Sequence, residues 1–183
     1  MKKYEFTGET KEIRLLFRTA TLHRIRATVA FGIVEVGDLG GWIEKEENLS
    51  HEGKAWVWGN AKVWGNAKVW GNAEVCGDAE VCGDAEVWGN AEVWGNAKVF
   101  SASHVLVIGA IGSRNDFTTF YRDKDNEITV KCGCFLGKID RFLEKVTQTH
   151  GDSKYALVYR AAVEVAKLQI DLSGEAPKDA DEE

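Results

Sequence analysis

Residues Gly53 to Phe100 read GKAWVW GNAKVW GNAKVW GNAEVC GDAEVC GDAEVW GNAEVW GNAKVF, eight consecutive blocks of six with no break. Few folds accept a fixed period this short. A helix would hold a glycine in every second turn, each costing about 1 kcal/mol relative to alanine. A strand with its hairpin turn needs more residues than one block offers. One flat side of a triangular parallel β-helix does fit. Three blocks then make one coil of 18 residues, and successive coils stack at the inter-strand spacing of about 4.8 Å.

The residue types assign the positions. Val57 and its equivalents through Val99 are the inward aliphatic residues, and Ala55 through Ala97 the small inward ones, where three corners converge. Gly59 and its equivalents turn the corners. The Asn or Asp that follows each can bond local backbone and stack between coils. Reading at 18-residue offsets puts Lys62, Glu80 and Lys98 in one column and Lys68 with Glu86 in another, so opposite charges meet. The outward columns are Trp58/Cys76/Trp94, Trp64/Cys82/Phe100 and Trp70/Trp88/Leu106. That much outward aromatic surface predicts an oligomer.

Composition removes several classes. Lys plus Arg total 23 and Asp plus Glu 29, a formal charge of −6. Ser173 to Glu183 holds five acids and one Lys, so the remaining body carries only −2. A sequence-independent nucleic-acid binder needs a strong cationic excess and is excluded. The 44% hydrophobic content excludes global disorder. No apolar run approaches the roughly 20 residues that span a bilayer, so no membrane is expected as a partner. The opening MKKYEFTGETKEIRLL lacks the apolar centre of a signal peptide. Four Cys make no disulfide framework at this length, and a cytoplasmic location is expected.

The V-x-G-[ND]-A-x register resembles left-handed parallel β-helix proteins of the hexapeptide-repeat class. The left hand is what the resemblance implies. Gly37-Asp38-Leu39-Gly40-Gly41-Trp42-Ile43-Glu44, then Glu47-Asn48-Leu49-Ser50, looks like the lead-in of YdcK-like bacterial and phage proteins, often labelled hexapeptide acyltransferases. The resemblance covers residues 4 to 112. It implies a trimer as the oligomer and, as an alternative function, an acyltransferase using acyl-CoA at a subunit interface. The C-terminal third looks like a module appended to such β-helices in prophage proteins.

The expected fold is mainly β. Residues 1–40 form an N-terminal β cap over an end that would otherwise recruit other chains. Residues 41–112 form the β-helix, with two weaker blocks added on each side of the eight strong ones. Residues 113–172 form a β-hairpin followed by two helices, and 173–183 a disordered acidic tail. The hairpin runs Asp116 to Arg122, turns at Asp123 to Glu127, and returns along Ile128 to Cys134. Ile139, Phe142, Leu143 and Val146 follow helical spacing, and Gly151 stops that helix. Tyr155, Val158, Tyr159, Ala162, Val165 and Ala166 form the apolar stripe of the second.

Candidate chemistry is sparse. An acyltransferase of this class needs a His as general base. His104 is the only His inside the coils by this register and falls outward, in the Lys68/Glu86 column, which reads as a surface His. His51 falls inward near the start. Cys132 and Cys134 share a strand face, but no second pair completes a metal site, and no metal or cofactor is expected. The basic N-terminal segment reads as a solvated strand face, with an anion-binding patch as the rival. Arg114, Asn115, Asp116, Tyr121, Arg122 and Lys131 gather cations, amide and aromatics where β-helix meets hairpin. Arg forks onto phosphate and aromatics stack on bases. The expected function is a non-enzymatic oligomeric β-helix binding protein, phage- or prophage-encoded, recognising there a small anionic, nucleotide-type ligand or a host protein.

Overall fold

The computed structural model describes residues 1–174, and the repeat forms a solenoid of about three turns with parallel strands. Ahead of it, β1 (Tyr4–Leu15) and β2 (Arg18–Ala27) make a hairpin, followed by β3 (Leu39–Ile43). The blocks then supply one short strand each: β4 (Trp56–Val57), β5 (Lys62–Val63), β6 (Lys68–Val69), β7 (Glu74–Val75), β8 (Glu80–Val81), β9 (Glu86–Val87), β10 (Glu92–Val93) and β11 (Lys98–Val99). After them come β12 (Val105–Ile111), β13 (Asp116–Arg122), β14 (Ile128–Cys132), β15 (Phe135–Lys138), α1 (Ile139–His150) and α2 (Lys154–Gln169).

Every third block pairs in parallel. The first face is β3-β5-β8-β11, the second β6-β9, and the third β4-β7-β10. Val75 lies in register between Val57 and Val93, as the 18-residue period requires. All the repeat Val and Ala side chains are buried in one core. The corner glycines have positive φ. At Gly77 (φ +78°) a side chain would also stand 3.0 Å from the Gly95 backbone of the next coil. The polar residue after each corner forms the expected ladder, with Asn66 Nδ2 and Asn72 Nδ2 donating across 3.0 Å to Asp84 Oδ1 and Asn90 Oδ1.

Two expected extensions of the coil differ. On the N-terminal side, Trp42 pairs with Lys62 and Leu49 with Val69, an offset of twenty residues. Two extra residues sit between Leu49 and Val57. Leu49, not His51, therefore takes the inward position. His51 stands outside the core, its ring stacked on Tyr4 at 4.3 Å. On the C-terminal side, residues 101–112 do not coil. They lack the Gly-Asn/Asp corner, and the β-branched run at Val105 finds an antiparallel partner in β13. β12 thus joins the C-terminal module as the first strand of a four-stranded antiparallel sheet, β12-β13-β14-β15. The expected hairpin and the two helices are present within it. β14 ends at Cys132 because Gly133 (φ +56°) turns the chain, so Cys132 and Cys134 do not share a strand face.

Outside the paired strands, the backbone bonds between coils run mostly one way, from N–H to a carbonyl of the following coil, as in Glu74 N donating to Ala91 O. These bonds leave carbonyls to be met at the N-terminal end and N–H groups at the C-terminal end. At the N-terminal end donors arrive. Lys3 Nζ reaches Ala55 O at 2.7 Å, the Tyr4 hydroxyl Leu49 O at 2.9 Å, and Asn48 Nδ2 Ala67 O at 2.8 Å. At the C-terminal end acceptors arrive. Thr119 Oγ1 takes Glu92 N–H at 3.0 Å, the Tyr121 hydroxyl Trp94 N–H at 3.3 Å, and His104 Nδ1 Phe100 N–H at 3.3 Å.

The N-terminal hairpin also reaches along the solenoid. Ile13, Ala20 and Leu22 pack on the outward column of Trp64 and Cys82, with Phe100 beside it. Its cations face its own chain: Arg24 pairs with Glu9, Arg26 with Glu5, and Arg18 with Glu44. In the C-terminal sheet, Phe120 and Val130 face α1 and α2, while Thr119, Tyr121 and Lys131 face the last coil. α2 buries Ala156, Tyr159, Ala162, Val163 and Ala166. Its expected stripe is thus rotated, and Val158 and Val165 are exposed. Among the described residues no helix is long and apolar enough to cross a membrane. Of the expected tail, Ser173 and Gly174 are described, and residues 175–183 lie outside the described residues.

Candidate functional site

The six junction residues singled out in the sequence do not form one cluster. Arg114, Asn115 and Asp116 are exposed on the turn between β12 and β13. Asn115 turns the chain there (φ +51°), and Asp116 Oδ1 accepts the Phe117 N–H at 2.8 Å. Tyr121 and Arg122 lie at the opposite end of β13 and are fully buried. The Tyr121 hydroxyl is held by Trp94 on both its donor and acceptor sides, and burial pushes its pKa up.

Arg122 is a clamp for the segment that follows α2. Its Nε donates to Asn126 Oδ1 at 3.1 Å, one Nη to Ser173 O at 2.9 Å and the other to Gly174 O. Its guanidinium lies 4.7 Å from the Phe100 ring centre. Lys131 lies across from Thr119, so it shares the face of Tyr121 rather than that of Arg122. It pairs with Glu92, donates to Gly133 O, and sits 4.2 Å over the Trp94 ring.

His104 is not a surface residue. It is 2% exposed, and the Phe100 ring meets it edge-on at 4.2 Å. Burial, and then the positive charge of Arg122, hold its pKa below the ordinary value, against a smaller opposite effect of Asp171. A neutral ring is what accepting the Phe100 N–H requires.

What the junction does form is a groove on the third face. Two hollows of about 310 and 330 Å³ share Asn72, Glu74 and Asn90 as their common floor. One wall is the loop Phe31–Val34 with Lys54 and Trp58, and the other is Glu92, Asp116, Phe117 and Gly133. The Arg114 guanidinium lies against Gly133 and so stands at the second rim. Burial, and then the neighbouring charge of Glu92, raise the Glu74 pKa, with Lys131 opposing. Burial likewise raises the Cys76 thiol. The groove thus offers amide and carboxyl groups on its floor, a cation at each rim, and aromatics on both walls.

Sequence reasoning found Arg114 and Asp116 but missed Lys54, Asn72, Glu74 and Asn90. The columns of the repeat were legible. Which face lies between the Phe31 loop and the hairpin was not. No known protein family's profile matches the chain, and no curated protein matches it.

Proposed function

We propose that this chain is a non-enzymatic β-helix binding protein whose third-face groove receives a small anionic, nucleotide-type ligand. The observation that carries the reading is the groove itself, with Lys54 and Arg114 at opposite rims and a floor of Asn72, Asn90 and the Glu74 carboxyl between them. A phosphate suits the forked Arg guanidinium, a base edge suits the amides and Glu74, and Trp58 or Phe117 suits its flat face. The acyltransferase reading is weakened because its candidate base, His104, already spends Nδ1 on the Phe100 N–H. The eight blocks also run without an interrupting loop to close over a substrate.

Two finer assignments rest on the sequence resemblance, a left-handed coil of YdcK-like type and a phage or prophage source; a cytoplasmic setting rests on the Cys count and the opening segment. Self-association belongs to the same proposal. The outer face of α2 supports it, with Leu157, Val165 and Leu168 exposed. Thermal shift and calorimetry with nucleotides and with acyl-CoA test the reading. A nucleotide should raise the melting temperature, and Arg114→Ala should weaken its binding about tenfold, or roughly 1.4 kcal/mol. The same variant should leave the ligand-free melting temperature in place. Equal binding by wild type and Arg114→Ala, or a response to acyl-CoA alone, would sink the proposal.

A further inference from the structure

The second face carries an aromatic ladder that stops one rung short. Trp70 and Trp88 stack with ring centres 5.5 Å apart and planes 15° from parallel, and remain 42% and 56% exposed. Ser50 N donates to Val69 O just as Trp70 N donates to Val87 O, so Ser50 holds the position of the next rung in the first coil. A serine cannot cover the Trp70 ring. A hollow of about 600 Å³ lies there, lined by Ser50, His51, Lys68, Trp70, Glu86 and Glu46 among others. His51 Nδ1 accepts the Lys3 N–H at 3.2 Å, which places the ring proton on Nε2. Nε2 is buried, with no partner at hydrogen-bond distance and the Glu46 carboxylate 3.8 Å away.

We propose that this hollow is a second binding site, which takes a planar heteroaromatic ring as the missing rung on Trp70. Stacking on an indole is general for flat π systems, so the edge of the ring decides which one fits. Carboxylates at Glu46 and Glu86 accept ring-edge N–H groups, while Lys68 donates to a ring acceptor. A purine that carries both an amino donor and carbonyl or ring-nitrogen acceptors, as guanine does, matches that set. The lining carries more carboxylate than cation, so the base and not a phosphate makes the contacts. The inference is independent of the third-face groove.

Guanosine titrated into the full chain by calorimetry is the test, with ribose as the control. Guanosine should bind and ribose should not. Ser50→Trp supplies the missing rung from the protein itself and should weaken guanosine binding at least tenfold. Trp70→Ala should do the same and covers the case in which Ser50→Trp fails to fold. Arg114→Ala, which belongs to the groove, should leave guanosine binding unchanged. The proposal is overturned if guanosine does not bind wild type, or if a folded Ser50→Trp or Trp70→Ala variant binds it as wild type does. It is also overturned if either variant changes the molar mass by light scattering, since the face is then a contact between subunits.

Discussion

Three side chains, Glu80, His104 and Arg122, show how single residues secure this fold. Glu80 takes Lys62 at 3.0 Å on one oxygen and Lys98 on the other, one coil to each side. Burial works against its charge, but the two lysine hydrogen bonds outweigh it and hold the carboxyl below its ordinary value. A depressed carboxyl stabilises the fold above its unfolded pKa, and that contribution fades as pH falls through the folded one. Glu80→Gln should therefore flatten the acid limb of the stability profile. Glu80→Lys puts three cations in one column and should cost about 1–2 kcal/mol in urea unfolding. His104 titrates with the same sign, because its folded pKa lies below the ordinary 6.5. Its contribution is complete above that pH and is lost as protonation begins below it. His104→Asn keeps an acceptor and should remove this pH dependence. His104→Ala should cost about 1–3 kcal/mol at neutral pH by stranding the Phe100 N–H. Arg122 was expected to bind a ligand. As a buried clamp, Arg122→Ala should lower stability by about 2–4 kcal/mol and leave ligand affinity alone.

At the scale of elements, the corners and ends set the limits of the coil. Gly59 and Gly77 both have positive φ, but only Gly77 faces the next coil closely. Gly59→Ala should cost about 1 kcal/mol for the left-handed backbone alone. Gly77→Ala adds a 3.0 Å contact with Gly95 and should be at least about 1 kcal/mol worse. Equal losses in a chemical melt would mean that the corners do not stack closely. Both ends are closed by polar partners: hydroxyl, amide and ammonium donors meet carbonyls at one, and hydroxyl and imidazole acceptors meet N–H groups at the other, where the Tyr121 hydroxyl also donates to Trp94 O. This explains why both flanks are folded units rather than loose extensions. A frayed end would leave a row of unpaired backbone groups open to other chains.

For the whole molecule, the aromatic columns turn out to have different fates. The N-terminal hairpin covers Trp64 and Cys82 within the chain, and Lys131 lies over Trp94. Trp70 and Trp88 stay open. The apolar surface that argued for an oligomer is therefore partly satisfied without a partner, and α2 brings a new exposed face. Leu168, 89% exposed, lies on it. We expect light scattering to give a multiple of 20.3 kDa, and Leu168→Glu to reduce it to one chain. A wild-type mass of one chain would remove self-association from the reading.

The sequence by itself determined the solenoid from Gly53 to Phe100, the inward Val and Ala, the charge column through Glu80, and the stop of α1 at Gly151. Each of these depends on contacts that repeat at a fixed offset or lie within one helical turn. Only the tertiary structure decided the rest. The twenty-residue first coil moved Leu49 inward because two residues were added at one corner, and local composition does not mark such an insertion. Val105 to Ile111 left the coil because an antiparallel partner lay downstream. Arg122 and Lys131 were absorbed by Asn126, the Ser173–Gly174 carbonyls, Glu92 and Gly133, none of which is adjacent in a strand-face pattern. The groove came from two flanks meeting over one face. Its residues lie between positions 31 and 133, and only the order of the faces brings them together.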